Sequence, residues 1–157
     1  MKAEADEIHM KAALRECRKA LAKNETPIGA VAVRNGKIVA RAHNLRESRT
    51  DPLGHAEIVL IRKLAKKFKS WRLPDITLYV TLEPCLMCLG AIFQSRMTRL
   101  VFGALDPKAG VCGSLYDLST DTKINHHLKV TKGILAKESS EILKSFFKTL
   151  RLKNKST

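Results

Sequence analysis

The chain has 157 residues, 45% of them apolar, and its 29 basic and 15 acidic side chains give a net charge of +14. This size and composition predict one globular domain and exclude a disordered chain. No apolar run approaches the roughly 20 residues needed to cross a bilayer, and the first seven residues mix charges, so we expect a cytoplasmic protein without a membrane segment.

The first third of the chain predicts a helix followed by a hairpin. Residues 4–22 carry apolar side chains at helical spacing, at Ala13, Cys17, Ala20 and Leu21. A buried strand over residues 28–33 follows. Asn35-Gly36 is the dipeptide that a type I′ turn favours, so residues 37–42 should return as the antiparallel partner. Residues 43–53 read as a polar loop.

The rest of the chain alternates helices and strands. We expect a helix over residues 55–68 with Ile58, Ile61, Leu64 and Ala65 on one face, and a strand over 76–82. Pro84 suits the first turn of a helix that runs to Ser95. The remaining predictions are a strand at 99–103, a loop at 106–116, a strand at 128–131 and a helix at 138–150. This order predicts an α/β layered domain with a mixed sheet over residues 1–150, followed by a basic tail over 151–157.

Two short motifs together predict a metal site. His55-Ala56-Glu57 precedes Pro84-Cys85-Leu86-Met87-Cys88 by about thirty residues. An imidazole and two thiolates suit zinc better than magnesium or calcium, and three protein ligands leave a fourth position open for water, as in catalytic zinc sites. Cys85 and Cys88, three residues apart at a helix start, can chelate one ion. Glu57 then becomes the candidate proton carrier. H-x-E followed by P-C-x-x-C is the signature of zinc-dependent nucleobase deaminases.

Two other interpretations of these cysteines remain open. Cys85-x-x-Cys88 alone is also typical of a thioredoxin-like redox pair. A closed structural zinc site would need a fourth protein ligand, for which Cys17, Cys112 and His43 are the candidates.

The excess positive charge favours a polyanionic partner, of which nucleic acid is the commonest. Basic side chains are dense over residues 62–72, and the last fourteen residues carry five of them without an acid. Solvated helix faces are the alternative explanation of each cluster.

Over nearly its whole length the chain resembles the bacterial tRNA-specific adenosine deaminases. The matching stretches are residues 27–31, 51–58, 77–88, 101–104 and 113–115, then Asn125-His126, residues 131–136 and Phe146-Phe147. The late elements separate this branch from cytidine and guanine deaminases, which share the zinc motifs. Gly54 departs slightly from the family pattern, which has another small residue there.

The resemblance implies a three-layer cytidine-deaminase-like fold with a five-stranded sheet between helices, one Zn²⁺ per subunit and a homodimer that contacts tRNA through both subunits. It also implies the reaction, which converts the wobble adenosine of an arginine tRNA anticodon loop to inosine. Glu57 would move protons during attack of zinc-activated water on the base.

Further site residues follow from the same resemblance. Asn44 would hydrogen-bond the base, although turn formation is its alternative role. Ala56 and the backbone at Glu83 and Pro84 are expected to line the pocket. Asp106 and Lys108 lie in the loop expected near the flanking nucleotides. Phe146 and Phe147 offer rings on which an unpaired base can stack, and core packing is their alternative.

Two other functions remain to be separated from this one. The first is a deaminase of a free base or nucleoside, either guanine or cytosine and cytidine. The second is a zinc-dependent RNA-binding module without catalysis.

Overall fold

The computed structural model describes residues 1–156, so Thr157, the end of the predicted tail, lies outside the described residues. The elements are α1 (Lys2–Ala22), β1 (Gly29–Arg34), β2 (Lys37–His43), α2 (Ala56–Phe68), β3 (Thr77–Leu82), α3 (Leu86–Gln94), β4 (Arg99–Ala104), β5 (Lys129–Lys132) and α4 (Ala136–Lys155). Among residues 1–156, we find no helix with the length and apolar character needed to span a membrane.

The strands form one mixed sheet in the order β2-β1-β3-β4-β5. Strand β1 runs antiparallel to β2 and β3, whereas β3, β4 and β5 are parallel. The β1–β2 hairpin closes at Asn35 and Gly36, whose φ angles of 51° and 73° are both positive, as a type I′ turn requires. The predicted hairpin, mixed sheet and α/β fold class are confirmed.

Helices cover both faces of the sheet, because successive strand residues point to opposite sides. Ala30, Ala32, Leu78 and Val80 pack in one cluster with side chains of α2 and α3. The other face carries Val31, Val33, Tyr79 and Val101, which pack with Met10, Ala12 and Ala13 of α1. Helix α4 packs on β3 and β4. The three layers place the starts of α2 and α3 at the same end of the sheet, where the site lies.

Three details differ from the sequence prediction. The predicted face of α2 was partly right: Leu64 is buried and Ile61 packs against the core, but Ile58 and Ala65 are only half-buried, and Ala56, Val59 and Leu60 make up the rest of the buried face. Apolar residues lie on two adjoining stripes of this helix, and spacing alone does not select between them. Cys85 is the N-cap of α3, so Pro84 precedes the helix instead of opening its first turn. Helix α4 continues to Lys155 and does not end at Leu150, because residues 151–155 contain no glycine or proline that would stop it.

A buried ion pair links Asp6 of α1 to Arg99 of β4. Arg99 donates from both terminal nitrogens to Asp6, over 2.8 and 2.7 Å, and the Tyr79 hydroxyl donates to the same carboxylate over 2.8 Å. Burial by itself raises the pKa of Asp6, but the bonds from Arg99 and Tyr79 outweigh it and lower that pKa. Burial and the bond to Asp6 raise the pKa of Tyr79 to about 12.

Strand β2 is an edge strand whose outer carbonyls are occupied by side chains of α2. Lys63 Nζ donates to the Arg41 carbonyl and Lys67 Nζ to the Val39 carbonyl, each over 2.7 Å. These bonds fasten α2 along the edge of the sheet, which fixes the position of the helix start that carries the site.

Candidate metal centre and substrate cleft

The starts of α2 and α3 converge at the candidate site. His55 is the N-cap of α2 and Cys85 is the N-cap of α3, both with extended backbone, and Cys88 follows in the first turn of α3. The partial positive charge at a helix N-terminus favours thiolates and other anions there. The local folding of two separate segments therefore brings all three candidate ligands to one electropositive point.

The spacing of these three side chains fits a tetrahedral zinc ion. His55 Nδ1 lies 3.6 Å from Cys85 Sγ and 3.5 Å from Cys88 Sγ. Zn–S and Zn–N bonds of about 2.3 and 2.0 Å at tetrahedral angles require N···S separations of about 3.5 Å. The three ligand atoms all lie within 4.8 Å of one another. The donor chemistry and the geometry both fit.

Within residues 1–156, no further His, Cys, Asp or Glu joins this group as a fourth ligand. The candidates for a closed site are occupied elsewhere: the Cys17 thiol donates to the Pro27 carbonyl, and His43 Nε2 lies 3.0 Å from Lys23 Nζ. Burial raises the pKa of the Cys17 and Cys112 thiols to about 12, which disfavours the thiolate that a metal binds. A histidine nitrogen close to both sulfurs of the Cys-x-x-Cys pair likewise favours metal binding over a redox pair.

Charge in the metal-free site concentrates on Cys85. The Cys88 thiol donates to Cys85, and together with His55 this lowers the pKa of Cys85 to about 4, against the opposing effect of burial. The same bond between the sulfurs raises the pKa of Cys88, and the bond to Cys85 raises the pKa of His55. A metal binds thiolates and neutral imidazole, so its binding would displace the proton of the Cys88 thiol.

Glu57 lies in the first turn of α2 and is only 4% exposed. Burial raises the pKa of its carboxyl, and the negative charge at Cys85 raises it further. A buried carboxyl group whose pKa is raised holds a proton more readily than a free one, which suits a general acid–base catalyst.

These side chains form the floor of a cleft of about 740 Å³, which is within the usual range for small-ligand sites. His55, Glu57 and Cys85 line its floor, the loop that follows β4 forms one wall, and α4 forms another. The residues that α4 contributes are Ser140, Leu143, Lys144, Phe147 and Arg151.

The structure brings four of the eight predicted substrate residues to this cleft. Glu83, Asp106, Lys108 and Phe147 line it. Phe146 instead lines a separate groove with Leu21 and Leu150.

The other three predicted residues are not among those that line the cleft, but each is bonded to a lining residue or flanked by two of them in sequence. Asn44 is buried at the end of β2, and its main-chain N–H donates to the carbonyl of Ile28, which lines the cleft. Ala56 is buried between His55 and Glu57. Pro84 is buried, and its carbonyl accepts a bond from the Val111 N–H.

The sequence analysis did not place three basic residues in the cleft: Arg46, and Lys144 and Arg151 of the basic C-terminal cluster. The α4 pair had a readable signal, because Ser140, Lys144, Phe147 and Arg151 recur every three or four residues on one helix face. Arg46 lies in an irregular loop and had no such signal.

Two buried carboxylates hold the loops that flank the cleft. Glu25 accepts bonds from the N–H groups of Glu47 and Ser48, over 2.9 and 2.7 Å, and from the Ser48 hydroxyl. Glu83 accepts from the N–H groups of Asp106, Cys112 and Ser114. Each carboxylate replaces regular backbone pairing in a loop, so the cleft walls are ordered without secondary structure.

The comparisons with known proteins agree with this site. Residues 4–151 match the family model of the MafB19-like deaminases. The chain is 49% identical to the tRNA-specific adenosine deaminase of Bacillus subtilis, over 96% of this chain and 93% of that protein. It is 47% identical to the tRNA-specific adenosine deaminase of Haemophilus influenzae, over 99% and 90% of the two chains.

The chain belongs to the tRNA-specific adenosine deaminase family. A solved structure from a study of A-to-I editing by tRNA:A34 deaminases at the wobble position superimposes with a TM-score of 0.83 at 42% identity, covering 86% of this chain and 98% of that one. This tRNA deaminase relative confirms the predicted cytidine-deaminase-like fold. The guanine deaminase of Bacillus subtilis is more distant, with a TM-score of 0.63 at 29% identity over 92% of each chain.

Proposed function

We propose that this chain deaminates adenosine to inosine at the wobble position of a tRNA anticodon loop, with an arginine tRNA as its substrate. The observation that carries the proposal is the buried Glu57 beside a His-Cys-Cys metal group, on the floor of a cleft with basic walls. The family of the chain supports adenosine in tRNA over a free base.

His55, Cys85 and Cys88 would hold one Zn²⁺ per subunit. When bound, zinc in such a site lowers the pKa of a water molecule towards about 7 and so provides a nucleophile at neutral pH. The two helix N-termini at His55 and Cys85 help to keep both sulfurs as thiolates.

Glu57 is the proton carrier of the proposed reaction. Its carboxylate takes the proton of the attacking water and delivers it to N1 of adenine as the C6–O bond forms. The same carboxylate then takes the proton of the new C6 hydroxyl and passes it to the amino group, so the C6–N bond breaks, ammonia leaves and the C6 carbonyl of inosine forms. The burial that raises the pKa of Glu57 suits it to carry a proton through these steps.

Asn44 and the residues next to the metal group would recognise the base. Asn44 hydrogen-bonds the edge of the adenine ring, and a base with the wrong edge would leave this amide unpaired. Ala56 and the backbone at Glu83 and Pro84 shape the pocket around the ring.

The cleft walls suit an unpaired RNA loop. Arg46, Lys108, Lys144 and Arg151 supply positive charge for phosphates, and Phe147 offers a ring for stacking. Asp106 lies among them, near the flanking nucleotides. Phe146 remains a candidate for RNA contact from its separate groove. An anticodon loop presents the target base already unpaired, which lowers the cost of moving it into a deep pocket.

We also propose that the protein works as a cytoplasmic homodimer. Two exposed apolar side chains flank the ligands in sequence: Leu53 is two residues before His55, and Leu86 follows Cys85. A second copy of the chain would bury them and complete the rim of the cleft. Sedimentation at micromolar concentration tests this, and a monomer would contradict it. The division at residue 150 into a domain and a tail stays a prediction.

One assay separates the three candidate functions. The purified protein is incubated with guanine, with cytidine and with an anticodon stem-loop carrying a wobble adenosine, and ammonia and inosine are measured. We expect turnover of the stem-loop alone. Turnover of only the small molecules would favour the free-base deaminase, and binding of the stem-loop without turnover would favour the RNA-binding module.

A further inference from the structure

We infer that a second RNA-binding surface lies at the far end of α2, where it holds parts of the tRNA outside the anticodon loop; this inference rests on the proposed function. This Trp71 surface consists of Arg34, Lys67, Phe68, Lys69, Trp71 and Arg72. Helix α2 has 13 residues and begins at the cleft, so its other end lies about 20 Å away. The surface is therefore separate from the substrate cleft.

The Trp71 surface combines aromatic rings with cations stacked on them. The guanidinium carbon of Arg72 lies 4.5 Å from the centroid of the Trp71 ring. Arg34 lies 4.9 Å and Lys67 Nζ 5.8 Å from the centroid of Phe68. Trp71 is 57% exposed, which is unusual for the largest apolar side chain of a small domain.

The backbone that carries Trp71 is fixed by its own bonds. The Ser70 hydroxyl donates to the Arg72 carbonyl and accepts from the Arg72 N–H, over 3.0 and 3.1 Å. Leu73 is buried in the core, and its N–H donates to the Ser95 carbonyl over 2.7 Å. An ordered turn therefore holds the indole outward, so its exposure does not result from a flexible loop.

Local structure accounts for only part of this charge. Lys67 supports the edge of β2 through the Val39 carbonyl, and lysines near a helix C-terminus offset the helix dipole. Arg34 lies 3.8 Å from Asp75, and both side chains are largely exposed. Neither role explains an exposed indole with the Arg72 guanidinium stacked on it.

RNA is the ligand that can use both the cations and the aromatic rings of the Trp71 surface. Guanidinium and ammonium groups bind phosphates, while the face of an indole stacks on an unpaired base. An acidic protein segment would use the cations alone. A tRNA extends far beyond the loop that enters the cleft, so it can supply phosphates and bases at a second surface.

Fluorescence tests the contact directly, because Trp71 is the single tryptophan of the chain. Full-length tRNA with a wobble adenosine is titrated into the protein while indole emission is followed. We expect quenching that saturates together with binding, and no quenching by polyglutamate. Unchanged emission at saturating tRNA, or equal quenching by polyglutamate, would overturn the inference.

Paired variants test the role in substrate binding. Lys69→Asn/Arg72→Ala removes two charges, and asparagine is chosen because Lys69 has a left-handed backbone. The control, Lys11→Ala/Arg15→Ala, removes two exposed charges from α1. For full-length tRNA we expect KM to rise about tenfold at unchanged kcat, and the salt dependence of log K to become shallower by about 1.5. An equal change in the control, or a fall in kcat at constant KM, would overturn the inference.

Two further readouts complete the test. Trp71→Phe should retain tRNA affinity and Trp71→Ala should lose it, because stacking needs only a ring; equal behaviour of the two would contradict a stacking role. All variants should deaminate a saturating anticodon stem-loop at the wild-type rate. Failure of the wild-type protein to deaminate the stem-loop would count against the proposed function, whereas tRNA binding and quenching judge the Trp71 surface independently.

Discussion

Gly110 packs so closely against the carboxylate of Glu83 that a Cβ atom at position 110 would lie 2.2 Å from Glu83 Cδ. The carboxylate is 2% exposed, and the loop around Gly110 closes over it through three main-chain N–H bonds. The same loop carries Asp106 and Lys108 to the cleft. A buried charge thus determines the position of residues that the reaction is proposed to use.

Gly110→Ala should displace this loop, because the added methyl group cannot fit beside Glu83. We expect kcat/KM on the anticodon stem-loop to fall about 100-fold, because a displacement of about 1 Å in an active site can reduce the rate by that factor. Because Gly110 also forms a β-bridge with Cys85, zinc content is measured as well, to separate displacement of the loop from loss of the metal. The control is Gly90→Ala, since a Cβ at Gly90 meets no atom within 4 Å. Wild-type kinetics in Gly110→Ala would refute this role of the Glu83 contact.

Glu57→Gln should abolish turnover without loss of binding. The amide keeps the size of the side chain but cannot carry a proton, and we expect kcat to fall at least about 10²- to 10⁴-fold. Zinc content and stem-loop affinity should remain within twofold of the wild type. Glu47→Gln, an exposed carboxylate in the neighbouring loop, serves as the control. Measurable turnover near the wild-type rate would exclude Glu57 as the proton carrier.

Cys85→Ala should lose the metal, and Cys112→Ala should keep it. Both positions carry a thiol close to the cleft, but only Cys85 belongs to the three-ligand group. Elemental analysis of the purified wild-type protein should give about one zinc per chain. Loss of zinc from the Cys112 variant, or its retention in the Cys85 variant, would show that the ligand set is wrong.

Alkylation of the metal-free protein should single out Cys85. Its pKa of about 4 means that the thiolate is present at pH 6, whereas the pKa of about 12 at Cys17 and Cys112 keeps those thiols protonated. Iodoacetamide at pH 6 should therefore label Cys85 first, and bound zinc should protect it. Labelling should disappear below about pH 4, as the thiolate is protonated. Peptide mass mapping identifies the labelled residue.

Asp6→Asn should destabilise the fold strongly at neutral pH. Asp6 and Arg99 are 4% and 13% exposed, and removing one partner of a buried pair costs about 3–5 kcal/mol. The exposed pair Arg34–Asp75 gives the control, where Asp75→Asn should cost less than about 1 kcal/mol. Urea unfolding of both variants measures the difference, and equal costs would contradict the role of the buried pair.

The pH dependence of this pair has a definite sign. The pKa of Asp6 is lowered in the folded state, from about 3.9 in the unfolded chain, so its contribution is present above about pH 4 and is lost as the pH falls through the folded value. The pKa of Tyr79 is raised to about 12, so its contribution is complete below about pH 10 and is lost as the pH rises through 12. The stability gap between wild type and Asp6→Asn should therefore close at acid pH and only narrow at alkaline pH, where the Asp6–Arg99 pair persists.

The sequence predicted the elements that depend on local patterns. Asn35-Gly36 predicted the hairpin, because a type I′ turn needs two residues that tolerate positive φ angles. The motifs that contain His55, Cys85 and Cys88 predicted the metal group. Part of the buried side of α2, Val59 and Leu60, was missed because Ile58 and Ile61 are equally apolar. Only the packing against the sheet chooses between them.

Long-range contacts account for what could not be predicted at the site. Glu25 and Glu83 act on loops more than twenty residues away, and no spacing rule links a carboxylate to such partners. Arg46 reaches the cleft because Glu25 holds its loop. Phe146 and Phe147 are adjacent in sequence, yet the helix turns them into different grooves.

The lysine bonds along β2 limit how copies of this protein can meet. The carbonyls of Val39 and Arg41 already accept hydrogen bonds from lysines of α2. These two groups of the edge strand are therefore not free to pair with an incoming strand. Self-assembly by continuing the sheet from one molecule into the next is thereby discouraged at this side. Any pairing of subunits is expected to proceed through side-chain surfaces, which a mutation can tune without disturbing the sheet itself.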